Sequence, residues 1–75
     1  MVKATFITIN DNYITLGQFL KLAKIIVNGG QARIFLATNT VLINNIREQR
    51  RGKKIYCGDT INIVDKQFVI QHRSS

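Results

Sequence analysis

The sequence predicts an α+β domain in which a two-helix hairpin packs on one face of a small, mostly antiparallel β-sheet. Three features predict it. Residues 5–9 alternate apolar and polar with period two, residues 16–36 carry apolar side chains at helical spacing, and from residue 41 onward the period returns to two. A strand, two helices and then several strands bury their apolar faces together by layering the helices on the sheet.

A chain of 75 residues buries only about 60% of the surface its unfolded form exposes, enough for one core. Residues 1–75 are therefore read as a single domain. It has no proline, and no Gly/Ser-rich linker or repeat divides it.

The elements follow in order. Thr5-Phe6-Ile7-Thr8-Ile9 marks an N-terminal strand over residues 3–9, closed by the turn-forming run Asn10-Asp11-Asn12. Thr15 with Gln18 three residues later is a capping-box pattern, and Leu16, Phe19, Leu20, Ala23 and Ile26 or Val27 then share one face. The spacing predicts a first helix over residues 16–26, stopped by Asn28-Gly29-Gly30 because glycine accepts the left-handed conformation of a helix end. A short second helix places Ala32, Phe35 and Leu36 on one stripe, and Gln31 and Arg33 project away from it. Both helices fall before residue 38. Val41-Leu42-Ile43 reads as a strand and Asn44-Asn45 as a tight hairpin turn. Ile55, Ile61, Ile63, Phe68 and Ile70 mark further strands separated by turns at Gly58-Asp59 and Asp65-Lys66. Phe6, Phe19, Phe35 and Phe68 are read as core, Asp11 and Asp59 as turn formers, and residues 72–75, with an idle His72, as a loose tail.

Eleven Lys and Arg against four Asp and Glu give a formal charge of +7. Such self-repulsion suits a polyanionic partner, nucleic acid first and an anionic membrane surface second. Apolar residues make up 45% of the chain, so it is not a disordered basic tail. No apolar run approaches the roughly 18 residues of a membrane span, and the alternating first ten residues do not resemble a secretory signal. A cytoplasmic monomer is the expectation. Cys57 stands alone, without a disulfide or metal-site partner, and is read as a half-buried small residue. One histidine, one cysteine and four scattered acids are too few to assemble a nucleophile, its base and an orienting group, so no enzyme and no cofactor are expected.

Candidate binding residues cluster in three places. The start of the second helix, with Gly29 and Gly30 allowing close backbone approach, offers unpaired N–H groups and a positive dipole end, with Gln31 beside it and Arg33 one turn inside. Lys21 and Lys24 sit off the apolar stripe of the first helix. Arg47, Arg50, Arg51, Lys53 and Lys54 form a basic run in which arginine suits bidentate phosphate contacts and lysine supplies charge. Each has a plainer reading. The run can be a solvated hairpin face, Gly29-Gly30 can be only a helix stop, and partial burial is favoured over base stacking for Tyr56.

The segments Gly29-Gly30-Gln31-Ala32-Arg33, Val41-Leu42-Ile43-Asn44 and Lys54-Ile55-Tyr56-Cys57-Gly58-Asp59-Thr60-Ile61-Asn62-Ile63 carry a resemblance. Over residues 15–63 the chain resembles the S-four RNA-binding domain, the fold named after small-subunit ribosomal protein four. With Ile14-Thr15-Leu16-Gly17-Gln18-Phe19-Leu20-Lys21 and Arg50-Arg51-Gly52-Lys53-Lys54, it is most similar to the stand-alone YaaA-type subgroup of small bacterial proteins. Asn45 stands where the family's hairpin carries glycine, and Thr15 where many members open the first helix with arginine. The resemblance implies RNA binding at the helix-pair surface and the neighbouring hairpin, by Lys21, Lys24, Gly29, Gly30, Gln31, Arg33, Arg47, Arg50, Arg51, Lys53 and Lys54. The implied partner is structured RNA such as ribosomal RNA or tRNA, or a ribosome assembly intermediate. The alternative is an adaptor whose basic face docks an acidic protein.

Overall fold

The computed structural model describes residues 4–73. Strand β1 (Ala4–Ile9) alternates as expected, with Ile7 and Ile9 turned toward the core and Phe6 and Thr8 facing out. A short strand not foreseen from the sequence, β2 (Tyr13–Thr15), runs directly into helix α1 (Leu16–Leu22). Thr15 closes the strand and caps the helix. Gln18 N–H donates to Thr15 Oγ1 over 3.2 Å and Thr15 N–H donates to Gln18 Oε1 over 2.9 Å, a complete capping box.

Helix α1 is shorter than the apolar periodicity implies. Lys24 adopts φ 60°, its N–H donates to Lys21 O over 3.0 Å, and Ile25 N–H donates to Leu20 O over 2.9 Å. This pair of bonds is a Schellman motif with lysine in the left-handed position, so the helix ends well before Gly29 and Gly30. Ala23, Ile25 and Ile26 still pack on the core, but from an irregular segment. Their apolarity reflects burial rather than helix. Helix α2 (Gly30–Thr38) buries Ala32 and Leu36 and half-buries Phe35.

Strands β3 (Val41–Ile43) and β4 (Ile46–Arg47) are joined by Asn44 and Asn45 at φ 52° and 69°, the two positive angles of a type I′ turn. Strands β5 (Lys54–Tyr56), β6 (Thr60–Ile63) and β7 (Lys66–His72) complete the chain. Five strands form a sheet in the order β1-β7-β6-β3-β4, antiparallel except for the parallel β1–β7 pair, while β2 and β5 make a separate antiparallel ribbon. The expected single sheet is thus a sheet and a ribbon. One buried cluster joins Leu16, Phe19 and Leu20 of α1 with α2 and the sheet, and the Phe19 ring meets Phe68 edge-on with centroids 5.2 Å apart.

Four expectations are corrected. Phe6 is 59% exposed, because helices line one face of the sheet and strand parity gives that face to Ile7 and Ile9. His72 is not in a loose tail: it pairs with Ile9 in the β1–β7 ladder, and Arg73 N–H donates to Ile9 O over 2.9 Å. The last sheet turn sits on Val64 and Asp65, with Lys66 already in β7. Cys57 is exposed, in the turn after β5. Residues 1–3, the start of the expected N-terminal strand, and 74–75, the end of the expected tail, lie outside the described residues. Among the described residues no helix is long and apolar enough to cross a membrane.

Candidate nucleic-acid interface

The basic loop after β4 is fastened to the first turn of α1. Leu16 N–H donates to Lys53 O over 2.8 Å and Gly17 N–H to Arg51 O over 2.9 Å. With Gln18 N–H held by Thr15, the first three donors of α1 are engaged within the protein. At the start of α2, Gly29 at the N-cap offers no side-chain bond and the first turn has no acidic residue. Gln31 N–H nevertheless donates to Asn28 O over 3.1 Å and Ala32 N–H to Gly29 O over 3.2 Å, so the unpaired donors expected there are mostly engaged too. A Cβ added at Gly17 would lie 3.5 Å from Arg51 O and 3.9 Å from Ala32 Cβ, so loop, α1 and α2 all approach this one residue. Gly17, Gln18, Lys21, Gly29, Arg51 and Gly52 line the resulting groove.

The loop carries its own electrostatic arrangement. Glu48 accepts from the Arg50 guanidinium twice, Nε to Oε2 at 2.9 Å and a terminal nitrogen to Oε1 at 3.2 Å, and Oε2 also accepts the Gln49 and Arg50 main-chain N–H groups. The Arg50 side chain is 77% exposed and that of Glu48 12%. The hydrogen bond from Arg50 holds the Glu48 carboxyl down at about 2, against an opposing contribution from its partial desolvation. Arg50 is thereby partly neutralised. Among the described residues no other ion pair forms, so Arg51, Lys53 and Lys54 carry unbalanced charge.

The residues singled out from sequence do not all meet. Lys21, Gly29 and Arg51 share the groove, and Arg50, Lys53 and Lys54 line an adjoining depression that reaches it through Gly52. Arg47 is exposed on β4 opposite Leu42, and Arg33 is exposed on α2 next to the buried Ala32. Gly30 is exposed at the first position of α2. Gln31 has an internal duty: its Oε1 accepts Val27 N–H at 2.6 Å and Asn28 N–H at 3.3 Å, which holds the segment entering α2. Lys24 lies elsewhere. Displaced by the early helix end, it lines a groove with Val64, Asp65 and Lys66 rather than the one containing Lys21.

Two tyrosines join the site. Tyr56 is 48% exposed rather than partly in the core, and Tyr13, which no expectation included, is 39% exposed beside it. Their ring centroids are 5.6 Å apart, and Lys54 Nζ lies 4.9 Å from the Tyr13 centroid. The signal was present in Lys54-Ile55-Tyr56: period two with Ile55 fully buried sends both neighbours outward.

Residues 7–71 match the S4 domain. The chain belongs to the S4 domain family. It is also 51% identical over 57 residues to a Bacillus subtilis (strain 168) protein named probable ribosome maturation protein RlbA, a match spanning 76% of this chain and 80% of that one. In this S4 domain the hairpin and Gly-Asp signatures are stitched together. Asn44 Nδ2 donates to Asp59 Oδ1 over 3.1 Å, Thr60 N–H donates to Asn44 Oδ1 over 3.0 Å, and Asp59 Oδ2 accepts Tyr56 N–H over 2.8 Å. Gly58 takes φ 95°, a conformation that the turn requires and that side chains rarely adopt. These bonds hold β5, and with it Lys54 and Tyr56, against the β3–β4 hairpin.

Proposed function

We propose that this S4 domain is a non-enzymatic RNA-binding protein acting in ribosome maturation, with structured ribosomal RNA as its principal partner and tRNA as the other candidate. The observation that carries this reading is the convergence at Gly17: two main-chain bonds fix the basic loop so that Arg51, Lys21 and the start of α2 line one groove, with Arg50, Lys53 and Lys54 adjoining. Such a groove suits a phosphate backbone, because cations carried on a fixed backbone meet it with less left to be ordered. The name of the Bacillus relative supports the ribosomal setting. Lys24 contributes little to this face, Gln31 acts by shaping it, and Arg33 and Arg47 extend its margins.

The test is recovery of the protein from cells under gentle conditions. The expected result is co-purifying nucleic acid, seen as a high ratio of absorbance at 260 to 280 nm that ribonuclease removes, and crosslinked sequences that map to ribosomal RNA. Recovery of a defined acidic protein and no RNA would establish the adaptor reading instead.

A further inference from the structure

The β2–β5 ribbon presents an aromatic surface on the flank of the basic groove. Its register places Tyr13 opposite Tyr56, Ile14 opposite Ile55 and Thr15 opposite Lys54. Ile14 and Ile55 are buried and anchor the inner side, so Tyr13, Tyr56 and the Lys54 side chain are fixed on the outer side by a backbone that cannot easily turn. The rings are inclined at 49° and do not stack flat on one another. One exposed tyrosine needs no explanation. Two held together beside a cation are a different matter, because aromatic rings rimmed by positive charge bind the faces of bases while the charge holds the adjoining phosphates.

Charge decides which partner fits. Lys53, Lys54 and Arg50 border Tyr56; of the three acids nearby, Glu48 is paired with Arg50, Asp59 accepts from Tyr56 N–H and the Asn44 amide, and Asp11 is exposed in a depression beside Tyr13. The surface is therefore aromatic at its centre, with the cations Lys53 and Lys54, unpaired among the described residues, on its Tyr56 side and Asp11 on its Tyr13 side. In duplex RNA the base faces are stacked on one another and closed to such a surface, whereas loops, bulges and ends expose them.

We propose that Tyr13, Tyr56 and Lys54 form a stacking platform for an unpaired nucleobase, so that the RNA bound here presents a single-stranded segment to the β2–β5 ribbon. This rests on the RNA-binding reading above and adds the class of RNA that is selected. The chain has two tyrosines and no tryptophan, so its intrinsic fluorescence reports on the platform alone.

The full chain is titrated with a non-self-complementary RNA strand of about ten nucleotides, and with the same strand annealed to its complement. The single strand is expected to quench tyrosine emission and to bind more tightly than the duplex. Tyr13→Ala with Tyr56→Ala should weaken single-strand binding by about tenfold or more, and the Phe replacements should restore it, because stacking needs the ring and not the hydroxyl. Quenching is read on the unaltered chain and does not depend on how the variants fold. Binding of the single strand with unchanged emission, or equal affinity for strand and duplex, would overturn the platform while leaving RNA binding intact. Failure of both RNAs to bind would overturn both readings.

Discussion

Gly17 N–H donates to the carbonyl oxygen of Arg51 over 2.9 Å, which joins the first turn of α1 to the centre of the basic loop. The bond has two consequences. It fixes the point from which the Arg51 side chain leaves the backbone, and it removes a donor from the α1 N-terminus, so a phosphate bound here would meet side chains. The site is accordingly a property of how three segments converge.

Core packing gives the first prediction. Phe19 is fully buried and meets Phe68 edge-on, so Phe19→Ala should cost about 3 kcal/mol or more. Phe35 is only half-buried, and Phe35→Ala should cost about 1–2 kcal/mol. Phe6→Ala should stay within about 0.5 kcal/mol. Urea unfolding of the three variants checks this order, and a larger loss at Phe6 than at Phe35 would mean that the outer face of the sheet is covered.

Val64 occupies φ 57° in the exposed turn between β6 and β7, a costly conformation for a β-branched residue. Val64→Gly should therefore raise stability by about 1 kcal/mol, despite the greater freedom glycine gives the unfolded chain. Thermal unfolding reads the change directly. A lower melting temperature would place Val64 in a packed environment.

The Glu48–Arg50 pair makes stability depend on pH. The Glu48 carboxyl titrates at about 2 in the folded chain against an ordinary 4.5, so the unfolded chain binds the proton first on acidification. The pair's contribution is present in full above 4.5 and is lost as pH falls from there toward 2. An NMR titration should find the Glu48 side chain still ionised at pH values where ordinary glutamates are protonated. Glu48→Gln should flatten the loss of stability across that window, and an unchanged slope would show that the pair does not persist in solution.

Much of the fold was legible from local chemistry. Thr15 and Gln18 marked the start of α1, Asn44 and Asn45 the hairpin, and Gly58 and Asp59 the next turn, because each depends on residues within a few positions. What was not legible depended on distant partners. The end of α1 at Lys24 was hidden because Ile25 and Ile26 are apolar for burial yet not helical, and the order of His72 depends on a parallel strand, β1, at the opposite end of the chain. The site divided the same way. The basic run was visible as a run, whereas the separation of Lys24 from Lys21 and the meeting of Tyr13 with Tyr56 are tertiary facts.

The most direct test of the RNA-binding face compares two charge pairs of equal formal charge. Lys21→Ala with Arg51→Ala removes cations from the groove, and Lys24→Ala with Lys66→Ala removes them from the other groove. Binding of a single-stranded RNA is measured across a salt series. The groove pair should weaken binding by about 2 kcal/mol or more, with a slope of log affinity against log salt shallower by about 0.7 for each phosphate no longer neutralised, while the other pair keeps most of the affinity. Equal weakening and equal slopes from the two pairs would contradict the account, since binding would then follow net charge and no defined RNA face would exist.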